Sequence, residues 1–407
     1  MLNLIKTLFH AFEGREAKKK LIKHLDLTVI GVTGSYGKTN TTVAIATVLA
    51  QKYSTLRTDL NLDTIYNIPK TILKLKKEEK LVLELGVDHK GEMLKHLEIA
   101  KPTIGVITGI APVHADSEHL GSLEGIVEEK GHLLEILPES GWAIMNWDDK
   151  NVRDMVNKTK AQVIRYGLSK EHCNLYAENI KVGFEGMSFE LIVQKVEGGK
   201  LKVESDKINI KTPLIGRQHA YTILAAAAVG LTQGLSLEEI SQGASKLQPL
   251  DGRLNIEKGP MGITLINDAR RANLASTLAG LRTLHDLPAK RKIAILGPMG
   301  EMGKYEESGH REVGQLVGQL KPDFVVCVGG PTKFIAAEAL KEMNEDRVLY
   351  CQDVFEAAER LRTILQPEDL VYLKGSLLKH MERIILLLEG KKADPDSIAS
   401  HRYQVYR

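Results

Sequence analysis

The chain's 407 residues give room for two or three domains, each with its own core. Hydrophobic residues at 43% and charged residues at 26% exclude a disordered or fibrous chain. A net charge of +3 lacks the footprint of a nucleic-acid partner, although it suits an anionic substrate.

The opening stretch, MLNLIKTLFHAFEGREAKKK, spaces apolar residues as a helix and then turns basic. A signal peptide carries its charge first and ends in small residues, so none is expected. A helix docked on the next domain is expected, with a helix lying on a membrane surface as the alternative. No run approaches the roughly 20 apolar residues that cross a bilayer, so no stable membrane insertion is expected. Cys173, Cys327 and Cys351 form no CxxC pair and no metal-ligand spacing, which points to free thiols and a cytoplasmic location.

From Leu27 onward, short apolar runs alternate with helical patterns. Strands are expected at Leu27–Thr33, Lys80–Leu85, Ile104–Ile110 and Trp142–Asn146, and helices at Thr39–Gln51 and Ser122–Leu137. Residues 174–213 alternate at period two around Gly turns and read as a small antiparallel patch. Helices follow at Tyr221–Gly230 and Leu237–Leu247. A second strand–helix series places strands at Ile263–Asn267, Lys292–Leu296, Phe324–Val328, Val348–Cys351 and Leu370–Leu373. The fold class is α/β: a P-loop central domain with a mainly parallel sheet, plus a C-terminal Rossmann-like α/β domain. The expected boundaries are a helical extension at 1–27, a central domain at 28–250 and a C-terminal domain at 251–407. Leu250–Arg253 reads as a hinge on which the halves close.

The first βα turn carries the chemistry. After the strand LTVIGVT comes Gly34-Ser35-Tyr36-Gly37-Lys38-Thr39, then a helix. Backbone N–H groups in such a turn converge on phosphate oxygens, and the helix N-terminus adds its positive end. Lys38 would reach the β- and γ-phosphates and Thr39 would ligate Mg²⁺, with Thr41 in the same cradle. A Gly-rich turn that binds nothing is the competing reading. The common GxxxxGK[ST] spacing wants Gly where Val32 stands, and Gly31 comes one residue early.

That offset, Thr33-Gly34-Ser35-Tyr36-Gly37-Lys38-Thr39, resembles the Mur ligase family, which joins amino acids or peptides to a carboxylate using ATP. Further segments agree in order over nearly all of residues 28 to about 390. Asn61-Leu62-Asp63-Thr64 with Ile68-Pro69 is similar to its Asn-rich loop. Leu83-Glu84-Leu85-Gly86 leading to Gly91-Glu92-Met93, Ile107–His114, Glu128-Glu129-Lys130-Gly131 and Asn146-Trp147-Asp148-Asp149 match later motifs. So do Asp251-Gly252-Arg253, Asn267–Asn273, Leu296–Gly303 with His310, and Lys374-Gly375-Ser376. The last three look most like the branch that adds D-alanyl-D-alanine to a UDP-muramoyl tripeptide in peptidoglycan synthesis.

The resemblance implies a reaction and a set of roles. ATP converts a carboxylate to an acyl phosphate, an amine attacks, and phosphate leaves, so the site must hold several negative charges together. Thr39 and Glu84 would hold one Mg²⁺. His114 and a carbamylated Lys130 would hold a second, with His119 competing for the place of His114. Asn146, His219, Arg253, Asp268 and Arg270 would serve the nucleotide. Asn61, Asp63, Thr64, Asn273, Lys374 and Ser376 would meet the other substrates, although Ser376 also reads as a helix cap. The bland alternatives are a strand-end carboxylate for Glu84, a structural imidazole for His114, a solvated Lys for Lys130 and surface ion pairs for the arginines.

Departures bear on substrate. Where the family shows G-x-H-N-x-x-N, this chain has Gly216-Arg217-Gln218-His219-Ala220-Tyr221-Thr222: a His is kept and both Asn are lost, so adenine recognition differs. Pro298 replaces the usual Asp, and Leu377 the Arg that often follows the Lys-Gly-Ser. Only about 27 residues precede the first strand, where relatives acting on UDP-muramoyl substrates carry a UDP-binding domain. The UDP handle is therefore expected to be held weakly, by a partner, or not at all. The expectation is a monomer using ATP and Mg²⁺ on small-molecule or peptide substrates. The alternatives are ligation of an amine to another carboxylate, such as a cofactor precursor, and a non-catalytic ATP-binding homologue.

Overall fold

The computed structural model of the chain describes residues 2–59, 64–197, 200–376 and 379–393. It divides into two compact units. One comprises Met1–Ile180, Ser188–Thr212 and Gln218–Leu247; the other comprises Lys181–Met187, Pro213–Arg217 and Gln248–Arg407.

Unit 1 opens with α1 (Leu2–Ile22), β1 (Thr28–Thr33), α2 (Lys38–Leu49), β2 (Thr55–Arg57), α3 (Thr64–Leu73), β3 (Lys80–Glu84) and α4 (Glu92–Ile99). It continues with β4 (Ile104–Ile107), α5 (Leu123–Glu135), β5 (Trp142–Asn146), α6 (Lys150–Asp154) and β6 (Gln162–Gly167). The last part runs β7 (Leu175–Gly183), β8 (Gly186–Glu197), β9 (Lys200–Thr212), α7 (His219–Thr232) and α8 (Leu237–Ser245). The nine strands form one sheet in the order β2-β3-β1-β4-β5-β6-β7-β8-β9. Pairing is parallel from β2 through β7. The link from β7 to β8 is too short for a parallel crossover, so that pair runs antiparallel.

The apolar runs are explained by where they sit. β1 is buried from Val29 to Thr33, the mark of a parallel strand covered on both faces. α7 is buried from His219 to Gly230 except at Tyr221. Its Ala-rich face packs on α2, and α8 closes so tightly that a Cβ on Gly243 would lie 2.7 Å from the Val48 Cα. Three strands were not expected from the sequence: β2, β6 and the edge strand of unit 2 described next.

Unit 2 runs β10 (Asn255–Lys258), β11 (Thr264–Asp268), α9 (Leu274–Asp286), β12 (Lys292–Leu296), α10 (Glu306–Leu320) and β13 (Phe324–Val328). It ends with α11 (Lys333–Ala339), β14 (Val348–Cys351), α12 (Val354–Ile364), β15 (Leu370–Lys374) and α13 (Arg383–Leu388). Its sheet has the order β10-β11-β15-β12-β13-β14, parallel except for the β10–β11 edge. Alternate residues feed two cores. Ile266, Ala294, Leu296, Val325 and Tyr372 face one, and Leu265, Ile293, Ile295, Val326 and Val371 the other. Both units are thus mainly parallel α/β structures.

Candidate active site

β1 lies between β3 and β4, with Val32 opposite Glu84 and Thr33 opposite Ile107. Neighbours that leave a central strand in opposite directions open a crevice at the strands' C-terminal ends. Gly34–Thr39 crosses that crevice and enters α2. Gly37 caps the helix at φ 77°, with no side chain covering the first N–H groups. Gly34 has φ 150°, and a Cβ there would lie 2.1 Å from the Thr108 Oγ1. Only glycine lets the loop come this close to β4.

Lys38 folds back so that its Nζ donates to the Gly34 carbonyl at 2.7 Å. The Thr39 hydroxyl donates to the Glu84 carboxylate at 3.1 Å. Two oxygen donors from different elements so close together suit a small hard cation such as Mg²⁺. Ser35 and Tyr36 are used differently from the expectation that the loop simply faces phosphate. The Ser35 N–H donates to Gly109 at 2.7 Å and its hydroxyl to the Ala111 carbonyl at 2.8 Å. The Tyr36 hydroxyl donates to Asp149 at 2.9 Å, and burial beside that carboxylate raises its pKa.

Asp149 emerges as a loop anchor. Its Oδ2 also accepts the Ile110 N–H at 2.8 Å, and its Oδ1 caps α6. Asn146 is buried and donates to the Thr108 carbonyl at 2.9 Å, while the Thr108 hydroxyl donates to the backbone of Thr33 and Tyr36. The Asn146 side chain is therefore a brace under the loop. The Asn-x-Asp-Asp signal was present in the sequence, but the link from Tyr36 to Asp149 spans 113 positions and no local pattern announces it.

Lys130 sits on α5, essentially fully buried, and no hydrogen bond or ion pair engages its Nζ among the described residues. Burial pushes its pKa down to about 7, helped by the nearby Lys38 charge and opposed by Asp88, Glu129 and Glu92. Such an amine is substantially neutral, hence nucleophilic, at physiological pH. The carboxylates around it are pinned. Glu129 accepts the N–H groups of Gly91 at 2.8 Å and Met93 at 2.7 Å, at the positive end of α4. Glu92 accepts from Asp88 at 2.8 Å and His89 at 3.1 Å. Asp88 in turn reaches the His114 Nε2 at 3.1 Å. His114 holds a left-handed backbone at φ 62°, a conformation that costs a non-glycine residue roughly 1–3 kcal/mol and clusters at functional sites. Asp88 was not singled out from sequence, and Glu92 and Glu129 entered only as members of motifs with no role of their own.

Thr41 is buried in α2, and His219 is buried at the start of α7. The His219 Nδ1 has no hydrogen-bond partner among the described residues, and burial pushes its pKa down to about 4. It is a neutral imidazole with polar capacity left over, which a base could satisfy. Asn61 and Asp63 lie outside the described residues, and Thr64 is described only as the first residue of α3.

Unit 2, taken by itself, gathers its own polar cluster. Asp268 and Lys374 are register partners at the ends of β11 and β15. The Asp268 Oδ2 accepts from the Lys374 Nζ at 2.7 Å and from the Tyr372 hydroxyl at 3.0 Å, all of it buried. Burial raises the Asp268 pKa and lowers that of Lys374, each opposed by the partner's charge. The groups expected at ribose and at the amine substrate are thus engaged with one another. Arg253 adds positive charge near both. The Arg270 N–H donates to Gly252 at 3.2 Å and its side chain is buried. Asn273 accepts the Ser276 N–H at 2.9 Å and caps α9. Ser376 is half-buried, its carbonyl accepting the Lys379 N–H at 2.9 Å.

Among the described residues, no helix is long and apolar enough to cross a membrane. The Mur ligase middle domain matches residues 32–230, and the Mur ligase glutamate ligase domain matches residues 252–377. A UDP-N-acetylmuramoyl-tripeptide–D-alanyl-D-alanine ligase of Bacillus subtilis strain 168 is 30% identical over 373 residues, covering 91% of this chain and 78% of its own. The crystal structure I of MurF from Acinetobacter baumannii superimposes with a TM-score of 0.81 at 27% identity, covering 94% of this chain and 81% of that one. The MurF ligase of Thermotoga maritima, solved in complex with ADP, has a TM-score of 0.77 over 94% of this chain and 84% of that one; at 24% identity it speaks for the fold.

Proposed function

The chain belongs to the Mur ligase family, and from that footing we propose that it uses ATP to join D-alanyl-D-alanine to the free carboxylate of a muramoyl tripeptide in peptidoglycan synthesis. The observation that carries the chemistry is one cluster in unit 1. Thr39 on α2 meets Glu84 at the end of β3, and the Lys38 ammonium on α2 lies near enough to the buried Lys130 amine on α5 for their charges to interact. The named activity of the relatives supports the substrates.

In this reading Lys38 exchanges the Gly34 carbonyl for the β- and γ-phosphates of ATP. Mg²⁺, when bound, would neutralise phosphate charge as it builds on transfer. Thr39 and Glu84 would hold one ion. His114 and Lys130, once its neutral amine has taken up CO₂ as a carbamate, would hold a second. The acceptor carboxylate attacks the γ-phosphorus and ADP leaves. The amine of the dipeptide then attacks the acyl phosphate carbon, and inorganic phosphate departs with the bond electrons. The neutral His219, whose Nδ1 has no partner among the described residues, supports a nucleotide-base contact. ATP is an intracellular substrate, so we place the reaction in the cytoplasm.

The test is phosphate release with ATP and Mg²⁺, the product identified by mass, using UDP-muramoyl tripeptide with D-alanyl-D-alanine beside other acceptor–amine pairs. Turnover with the first pair is expected. Turnover confined to another pair transfers the mechanism to a different carboxylate. Full activity in Lys38→Ala would overturn the mechanism itself.

A further inference from the structure

The sequence leaves two uses open for the first helix, packing on the next domain or lying on a membrane surface, and the structure gives α1 two unlike sides. One side is spent on packing. Ala17 is fully buried, a Cβ on Gly14 would lie 3.4 Å from the Ile99 Cδ1, and α1 rests against α3 and α4. The Lys20 Nζ donates to the Leu73 carbonyl at 2.6 Å and the His24 Nε2 meets the Lys76 carbonyl at 3.2 Å, which ties the end of α1 to the end of α3.

The other side faces solvent. Phe12, Arg15, Lys19 and Ile22 recur at three- and four-residue steps, which sets them on one helix face, and all four are exposed. The turn after the helix adds Lys23 and Leu25, also exposed. Phe12 is 62%, Ile22 65% and Leu25 89% exposed, and among the described residues these are the three most exposed large apolar side chains. Charge is concentrated on the same segment. Between Arg15 and Leu25 stand five Lys or Arg residues and one carboxylate, Glu16, whereas all 407 residues together net only +3. Glu16 pairs with Lys19 at 2.7 Å, and no ion pair engages Arg15, Lys18 or Lys23 among the described residues.

A merely solvated helix face has no use for Phe, Ile and Leu, and the core of a protein–protein interface is depleted of Lys. Apolar groups standing among cations match an anionic bilayer, where the apolar side chains enter the acyl boundary and the cations stay at the phosphates. We propose that the outer face of α1 and the turn after it, from Phe12 to Leu25, dock the protein on an anionic lipid surface. This face lies away from the chemistry. The turn after α1 leads into the N-terminal end of β1, and the phosphate-binding loop leaves the other end after six residues of strand, roughly 20 Å on. Lipid docking and nucleotide binding are therefore separable.

The test is co-sedimentation of the full chain with vesicles of phosphatidylcholine alone and of phosphatidylcholine mixed with phosphatidylglycerol. Melting temperature and ADP affinity are measured on every variant. Wild type is expected to bind the mixed vesicles at least about tenfold more tightly, and to release them as salt screens the headgroups. Lys18→Glu with Lys23→Glu is expected to weaken that binding at least about tenfold. Ile22→Ser with Leu25→Ser leaves every charge in place and is expected to weaken it by about the same factor. All four positions are exposed, so melting temperature and ADP affinity stay at their wild-type values. Equal binding to both kinds of vesicle, or binding to neither, overturns the proposal. So does wild-type binding by the serine variant, which would mark a basic surface for an acidic protein or a nucleic acid instead.

Discussion

Lys130 takes its chemistry from its position more than any other residue does. An ammonium buried beside Lys38 cannot stay fully charged, and burial pushes its pKa down to about 7. Lys130→Arg keeps the positive charge but cannot be neutralised or form a carbamate. We expect phosphate release to fall at least about 100-fold while ADP affinity, measured by calorimetry, stays within a few-fold. An arginine variant with near-normal turnover would remove the carbamate from the scheme. His219 gives a pH signature. Its pKa falls from an ordinary 6.5 to about 4 on burial. Between those values the unfolded chain takes up a proton that the folded chain refuses, so stability is lost as pH falls from 6.5 toward 4. For this fully buried group the loss is about 3 kcal/mol. Urea midpoints at several pH values should show that slope in wild type and a flatter one in His219→Gln; equal slopes would refute the assignment. At this scale, type and spacing singled out Lys38 and Thr39 for phosphate and metal, whereas Glu84 and Lys130 came forward only through the family resemblance. The work of Asp149 and Asp88 was not legible, since it depends on partners brought close only by the fold.

Strands and helices follow their own rule of visibility. β5, β12 and β13 lie where the apolar runs put them, because parallel strands covered on both faces have few polar positions. β6 buries only Tyr166 and Gly167 fully, β2 is three residues long, and β10 is a polar edge strand. None of these three displays an apolar run, so none could be read. The sequence reading offered a cap only at Ser376, so the helix start at Asn273 went unread. The resemblance implies a substrate contact for Asn273, whereas its carboxamide accepts from Ser276 and starts α9. Asn273→Ala should cost about 1 kcal/mol in a denaturant titration, the usual worth of such a cap. The Michaelis constants for dipeptide and acceptor should stay within about twofold if capping is its whole role. A tenfold rise in one of them at unchanged stability would restore the substrate contact.

For the molecule as a whole, stability is not one number, because each unit carries its own core and its own buried charges. The sequence carries two strand–helix series. That Lys181–Met187 and Pro213–Arg217 group with the second unit was not readable from them. Val182 and Ile215 pack into the unit 2 core from segments whose local pattern belongs to the antiparallel patch and its exit. Within unit 2 the buried Lys374–Asp268 pair is the critical interaction. Removing one partner strands the other charge in a dry site, which typically costs about 3–5 kcal/mol, whereas replacing both by uncharged groups of similar size is often neutral. Lys374→Met should therefore speed amide exchange in β11 and β15 and lower the melting temperature of unit 2. Adding Asp268→Asn should recover much of that loss, because the carboxamide can still accept from the Tyr372 hydroxyl that now donates to Asp268 at 3.0 Å. If the pair serves only to hold the sheet ends together, the double variant also regains ATP turnover. A double variant that is stable yet inactive would assign Asp268 or Lys374 to substrate, as the sequence resemblance implies.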